Sequence, residues 1–183
     1  MAVKEALTFE KVWATIQETD RKRKESEEEL RKQIMETNRQ IGKLGNRFGE
    51  LAEHLVAPGI REKFNELGFM FEETSRDIEI IDSAGKFLAE VDLLLENGEI
   101  VIAVEVKAKP TQNDILDHID RMEILRSRAD AKKDTRKFQG AIAGAIMNEA
   151  VSNFIHKTGF YSIEQTGDTV KINIPEGFKP REW

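Results

Sequence analysis

The chain has no cysteine, only four prolines and one tyrosine, and no apolar run of membrane-spanning length. Without cysteine there are no disulfides and no thiolate metal sites. Scarce proline, together with long polar stretches of helical pattern, argues against extended disorder. The opening residues, Met1 to Ala6, lack the apolar core of a secretory signal, so a cytoplasmic location is expected. Excess positive charge is missing too: charged residues are 34% of the chain, yet the formal net charge is −6. That balance excludes a protein coated for nonspecific nucleic-acid binding, while leaving room for a local basic surface. No glycine-rich phosphate loop or serine nucleophile elbow is present. The histidines, His54, His118 and His156, have no ligand spacing among them, and none is assigned to a metal.

At 183 residues the chain can hold one domain and an extension. We place an N-terminal helical extension at residues 1–44 and a globular domain at 45–183. Residues 8–55 follow a heptad pattern. Phe9, Ile16, Arg23, Leu30, Thr37, Leu44 and Leu51 fall at d. Trp13, Asp20, Glu27, Ile34, Ile41, Phe48 and Leu55 fall at a. The seam is apolar at both ends and polar in the middle, at Asp20, Arg23 and Glu27. The apolar ends need something to cover them. A homodimeric coiled coil through these helices is the favoured expectation; a helical hairpin and a single protruding helix are the others. Gly42, Gly45 and Gly49 weaken the helix where extension and domain would meet.

Pro58-Gly59 is expected to end that helix. A short helix then covers Ile60 to Leu67, with Gly68 just past its end. A first strand or ribbon covers Phe69 to Phe71 and Ile78 to Asp82. Phe87 to Leu95 and Glu99 to Lys109 read as the next two strands, joined through Asn97-Gly98, a strong hairpin signal. Thr111 caps a helix to about Arg128. Residues 139–147 read as a buried strand, and Asn148 caps a helix ending at Gly159. A closing hairpin turns at Gly167-Asp168. The order implies an α/β fold with a mixed central sheet.

The feature that carries chemistry is Asp92 on one hairpin arm and Glu105-Val106-Lys107 on the other. Residues two apart on a strand share a face, so Glu105 and Lys107 point the same way. They do so from a segment that is otherwise apolar from Ile100 to Val106. Ionised groups rarely enter such a strand unless paired or bound to a metal. Two carboxylates and an ammonium at neighbouring strand positions suit a divalent cation and a positioned water. A Glu-x-Lys pair on the wet face of an edge strand is the plainer alternative.

Asp92…Glu105-Val106-Lys107 resembles the Asp…Glu-x-Lys motif of the PD-(D/E)XK, or restriction-endonuclease-like, nucleases. Gly49 to Leu55, then Leu67-Gly68-Phe69, is similar to the first core helix and turn of archaeal Holliday-junction resolvases. The resemblance covers roughly residues 45–165; Val91 stands where many members have proline. It implies a restriction-endonuclease-like αβββαβ core after a long N-terminal helix, and a Mg²⁺-dependent deoxyribonuclease (Mn²⁺ possible) acting on duplex or branched DNA. Asp92, Glu105 and the carbonyl of Val106 would hold the metal. Lys107 would orient or deprotonate the attacking water. A helix carboxylate, Glu53 in preference to Glu50, would complete the catalytic set. The stretch Arg126 to Lys137, with six basic and two acidic residues, is either a phosphate-backbone contact or a solvated loop. The contrasting functional class is an inactive nucleic-acid-binding or coiled-coil assembly module on the same fold.

Overall fold

Local signals build most of the elements of this computed structural model, which describes residues 9–82, 84–167 and 169–183; the side chains of 41–58 lie outside the description. Helix α1 spans Phe9–Glu66. Strands β1 (Glu73–Ile81), β2 (Phe87–Glu96) and β3 (Ile100–Lys107) follow, then helix α2 (Gln112–Ala131). Strand β4 (Lys137–Gly144), helix α3 (Glu149–Lys157), β5 (Tyr161–Thr166) and β6 (Thr169–Asn173) complete the chain. It divides into two compact units, Met1–Asn46 and Arg47–Trp183. No helix among the described residues is long and apolar enough to cross a membrane.

In the first unit every described residue through Gln40 is exposed except Glu18, which is partly covered. The helix is laced with surface pairs such as Arg21 with Glu18 at 2.8 Å and Arg39 with Glu36 at 2.8 Å. Pairs of this kind add little each. They leave Phe9, Trp13, Ile16, Leu30 and Ile34 in water.

The second unit is a six-stranded sheet in the order β1-β2-β3-β4-β5-β6. The first three strands form an antiparallel meander, β3, β4 and β5 run parallel, and β6 closes antiparallel to β5. The sheet is therefore mixed, as its parallel crossovers through α2 and α3 require. Ile60 and Phe64 of α1 pack with Leu93, Ile102, Val104 and Ile163 on one face. Ile115, Met122 and Leu125 of α2 and Ile155 of α3 pack with Val101, Ala103 and Ile142 on the other.

The chain departs from the sequence reading at two points. Helix α1 runs through Pro58 and Gly59 to Glu66 instead of stopping. Proline inside a helix costs about 3 kcal/mol. Burying Ile60 and Phe64 completely just beyond it offsets that cost, at about 1.5–3 kcal/mol each. Glycine also suits position 59, because a Cβ there would lie 3.3 Å from Val170 Cγ2 on β6. Second, Phe69 and Phe71 do not open β1. They stack at 5.4 Å, each edge-on to Phe64, as part of the core. The expected β2–β3 hairpin does form, with Gly98 outside the left-handed region. Asn97 braces the turn: its Oδ1 accepts from the N–H of Glu99 at 2.9 Å and of Ile100 at 2.8 Å.

Candidate functional site

Two irregularities in the meander prepare the site. Asp77 has φ +51°, a left-handed conformation that Asp tolerates better than most residues. It falls between the rungs Arg76–Leu93 and Ile78–Val91, and so stands opposite Asp92. Side-chain alternation breaks here. Val91 joins the core on the α2 face, whereas Leu93, two residues on, joins the core on the α1 face. Meanwhile the β2–β3 ladder ends at Leu93–Val104. The next rung would set Asp92 against Glu105. In its place Asp92 Oδ2 accepts the N–H of Val106 at 2.7 Å. Strand irregularities beside functional sites re-aim side chains in this way. The N–H and C=O of one strand residue face the same flank, so the carbonyl of Val106 also faces the Asp92 side.

Glu105 lies on the face covered by α2, in phase with Val101 and Ala103. It is 1% exposed, in the middle of a strand of apolar neighbours. Two cations compensate it. Lys107 Nζ is 2.6 Å from Oε1, and Arg121 of α2 brings a guanidinium nitrogen to 2.5 Å from Oε2. Each carboxylate oxygen thus has one cation against it, and the charge is balanced by ion pairs within the fold.

Burial opposes the charge of Lys107, but the Glu105 carboxylate, helped by Asp92, lifts its ammonium above the ordinary lysine value. Lys107 is therefore a cation at neutral pH. His118, one turn before Arg121, is fully buried; that burial pushes its imidazole down to about 4 against the pull of Glu105. It is neutral near pH 7, and its Nε2 lies 3.1 Å from the Ala103 carbonyl, the geometry of a donated hydrogen bond. Its Nδ1 is buried with no hydrogen-bond partner.

Where β2 and β3 part, Asp92 thus holds the N–H of Val106, and Lys107 pairs with Glu105. Glu53 and Glu50 fall in the stretch whose side chains lie outside the described residues. No group of three or more His, Asp or Glu side chains that could hold a metal ion is found among the described residues. Sequence reasoning missed Arg121 and the burial of His118. Both share a helical stripe with Ile115, Met122 and Leu125, and that spacing marks the face turned to the sheet.

Two of the six basic residues in the stretch are used internally. Arg126 donates to the carbonyls of Asp134 at 2.5 Å and Arg136 at 2.9 Å, and lies over the Phe138 ring. Arg136 pairs with Asp134 at 2.7 Å and Glu96 at 2.9 Å, and hydrogen bonds from Arg136 hold the Asp134 carboxyl down at about 2. Lys132, Lys133 and Lys137 remain exposed.

No protein-family model matches the chain, and no curated protein does. Among solved structures, the small subunit of the heterodimeric restriction endonuclease R.BspD6I is similar, with 19% identity over 57% of this chain and 58% of that one, at a TM-score of 0.30. The chain thus spans less than two thirds of that subunit, and the score is too low to assign a fold.

Proposed function

We propose that the chain is a Mg²⁺-dependent endonuclease that hydrolyses phosphodiester bonds of DNA on a restriction-endonuclease-like core. One observation supports the reading: Glu105 is fully buried in an apolar strand between Lys107 and Arg121, and Asp92 holds the N–H of the next residue, Val106, where the strands diverge. The donor set is all oxygen and suits a hard cation such as Mg²⁺ or Mn²⁺. Asp92, Glu105 and the Val106 carbonyl would hold it, with Glu53 as the further carboxylate. When bound, such an ion stabilises charge on a phosphoryl oxygen and acidifies its water. Lys107 then orients the attacking water and offsets phosphate charge. Being protonated at rest, it acts as a cation and hydrogen-bond donor before it can act as a base. Arg121 neutralises Glu105 when no cation is present.

The test is calorimetric titration with Mg²⁺ and Mn²⁺, then plasmid nicking. Saturable binding with metal-dependent cutting supports the proposal. Absence of both overturns it.

The flanking of Glu105 by Lys107 and Arg121 also favours a second reading, in which the cluster is a structural ion triad in a nucleic-acid-binding module. Salt-dependent binding of duplex DNA without metal binding or cutting distinguishes it.

A further inference from the structure

The N-terminal helix has a polar centre that a second copy can match in only one sense. Among its described residues, positions a and d run Phe9, Trp13, Ile16, Asp20, Arg23, Glu27, Leu30, Ile34, and all of them are exposed. Arg23 lies 3.7 Å from Asp20 and 3.5 Å from Glu27 within its own helix. Such wet pairs are weak and re-form easily with other partners.

In a parallel dimer a meets a and d meets d. Asp20 would face Asp20, Arg23 would face Arg23, and Glu27 would face Glu27. Three successive core layers would oppose like charges, each unfavourable. In an antiparallel dimer a meets d. The register that sets Asp20 against Arg23 of the other copy does so twice by symmetry. It also sets Trp13 against Leu30 and Phe9 against Ile34, apolar on apolar. On one flank Glu10 meets Arg31 of the other copy, and no like charges meet on either flank. Its mismatched layers, two by the same symmetry, are Ile16 against Glu27. Sliding by one heptad, to pair Arg23 with Glu27, sets Asp20 against Leu30 and brings Lys24 against Lys24.

We infer that this helix is the docking surface for a second copy of the chain, in an antiparallel two-stranded coil with Arg23 of each copy against Asp20 of the other. The inference stands apart from the nuclease reading, because it uses no residue beyond Ile34.

The test is the solution mass of the full chain across a dilution series, by light scattering and sedimentation. Wild type, Asp20→Arg, Arg23→Asp and the double exchange are compared, with helix content checked by circular dichroism. The side chains are exposed, so the folded domain is not at risk. Each single exchange brings like charges together twice and raises the dimer dissociation constant at least about tenfold. The double exchange returns it to near wild type. In the parallel dimer the double exchange keeps like against like. In the slid register it sets a new carboxylate at position 23 against Glu27. Neither arrangement restores association. The cysteine-free chain allows a second measurement. Thr19→Cys and Ser26→Cys proteins, mixed and oxidised, form the mixed disulfide. A monomeric wild type, a disulfide of Leu30→Cys with itself, or a double exchange that fails to restore dimers overturns the inference.

Discussion

The N–H of Val106 donates to Asp92 Oδ2 at 2.7 Å, one residue beyond the last main-chain rung between β2 and β3. A side chain thus finishes the ladder, and that places a carboxylate against the backbone of Val106, the residue after Glu105. Asparagine can keep the hydrogen bond through its carbonyl oxygen while losing the charge. Asp92→Asn is expected to unfold within a few degrees of wild type, yet to bind Mg²⁺ at least about tenfold more weakly, with cleavage falling in step. Calorimetry and nicking on one preparation check both halves. Unchanged metal affinity would remove Asp92 from the ligand set.

Lys107→Ala should separate binding from chemistry. The ammonium acts on water and phosphate, so metal affinity should hold or rise while cleavage falls about a hundredfold or more. Binding of uncut duplex in EDTA should change little. A variant that cuts as fast as wild type would remove Lys107 from the mechanism and leave the fold untouched.

Arg121→Ala strips one of two cations from a buried carboxylate. Breaking such a pair leaves charge that burial penalises. With Lys107 still in place, the loss in EDTA should be about 2 kcal/mol in urea unfolding. Mg²⁺ should recover much of it and bind more tightly than to wild type, because a competitor for Glu105 is gone. Equal destabilisation with and without Mg²⁺ would favour the structural ion triad.

His118 supplies a pH dependence with a definite sign. Its folded value is about 4 against an ordinary 6.5, so between these the unfolded chain takes up a proton that the folded chain refuses. The stabilisation is complete above about pH 6.5 and is lost as pH falls toward 4, amounting to on the order of 3 kcal/mol. Urea midpoints measured from pH 7.5 to 4.5 should fall more steeply in wild type than in His118→Gln. Parallel curves would show that the imidazole is not held neutral.

Much of the layout is legible in the chain because its signals are local. Thr111 and Asp114 cap α2 reciprocally: the Thr111 N–H reaches Asp114 Oδ2 at 2.7 Å, and the Asp114 N–H reaches Thr111 Oγ1 at 3.3 Å. Asn148 caps α3 through the N–H of Val151 at 2.9 Å, and Gly159 follows its end with φ +84°. Asn97-Gly98 marks the hairpin that brings the Asp92 and Glu105 strands together, with the Asn97 side chain bracing the turn. Each of these is settled within about five residues, where backbone hydrogen bonding and steric limits on φ decide.

Only tertiary structure decided the rest, because the deciding partners lie far away along the chain. Pro58 stays helical because Ile60 and Phe64 bury against strands more than thirty residues on, a gain that propensity does not register. Arg126 and Arg136, which look like phosphate contacts, are occupied by Asp134, Glu96 and main-chain carbonyls. The site shows the same division. Asp92, Glu105 and Lys107 could be proposed from residue type and strand phase. The left-handed Asp77 that turns β2 at Asp92, and the Arg121 guanidinium on Glu105, depend on a neighbouring strand and a covering helix. A buried charge takes its partner from whichever element the fold lays over it, and the stretch between Glu105 and Arg121 does not say which face that element will present.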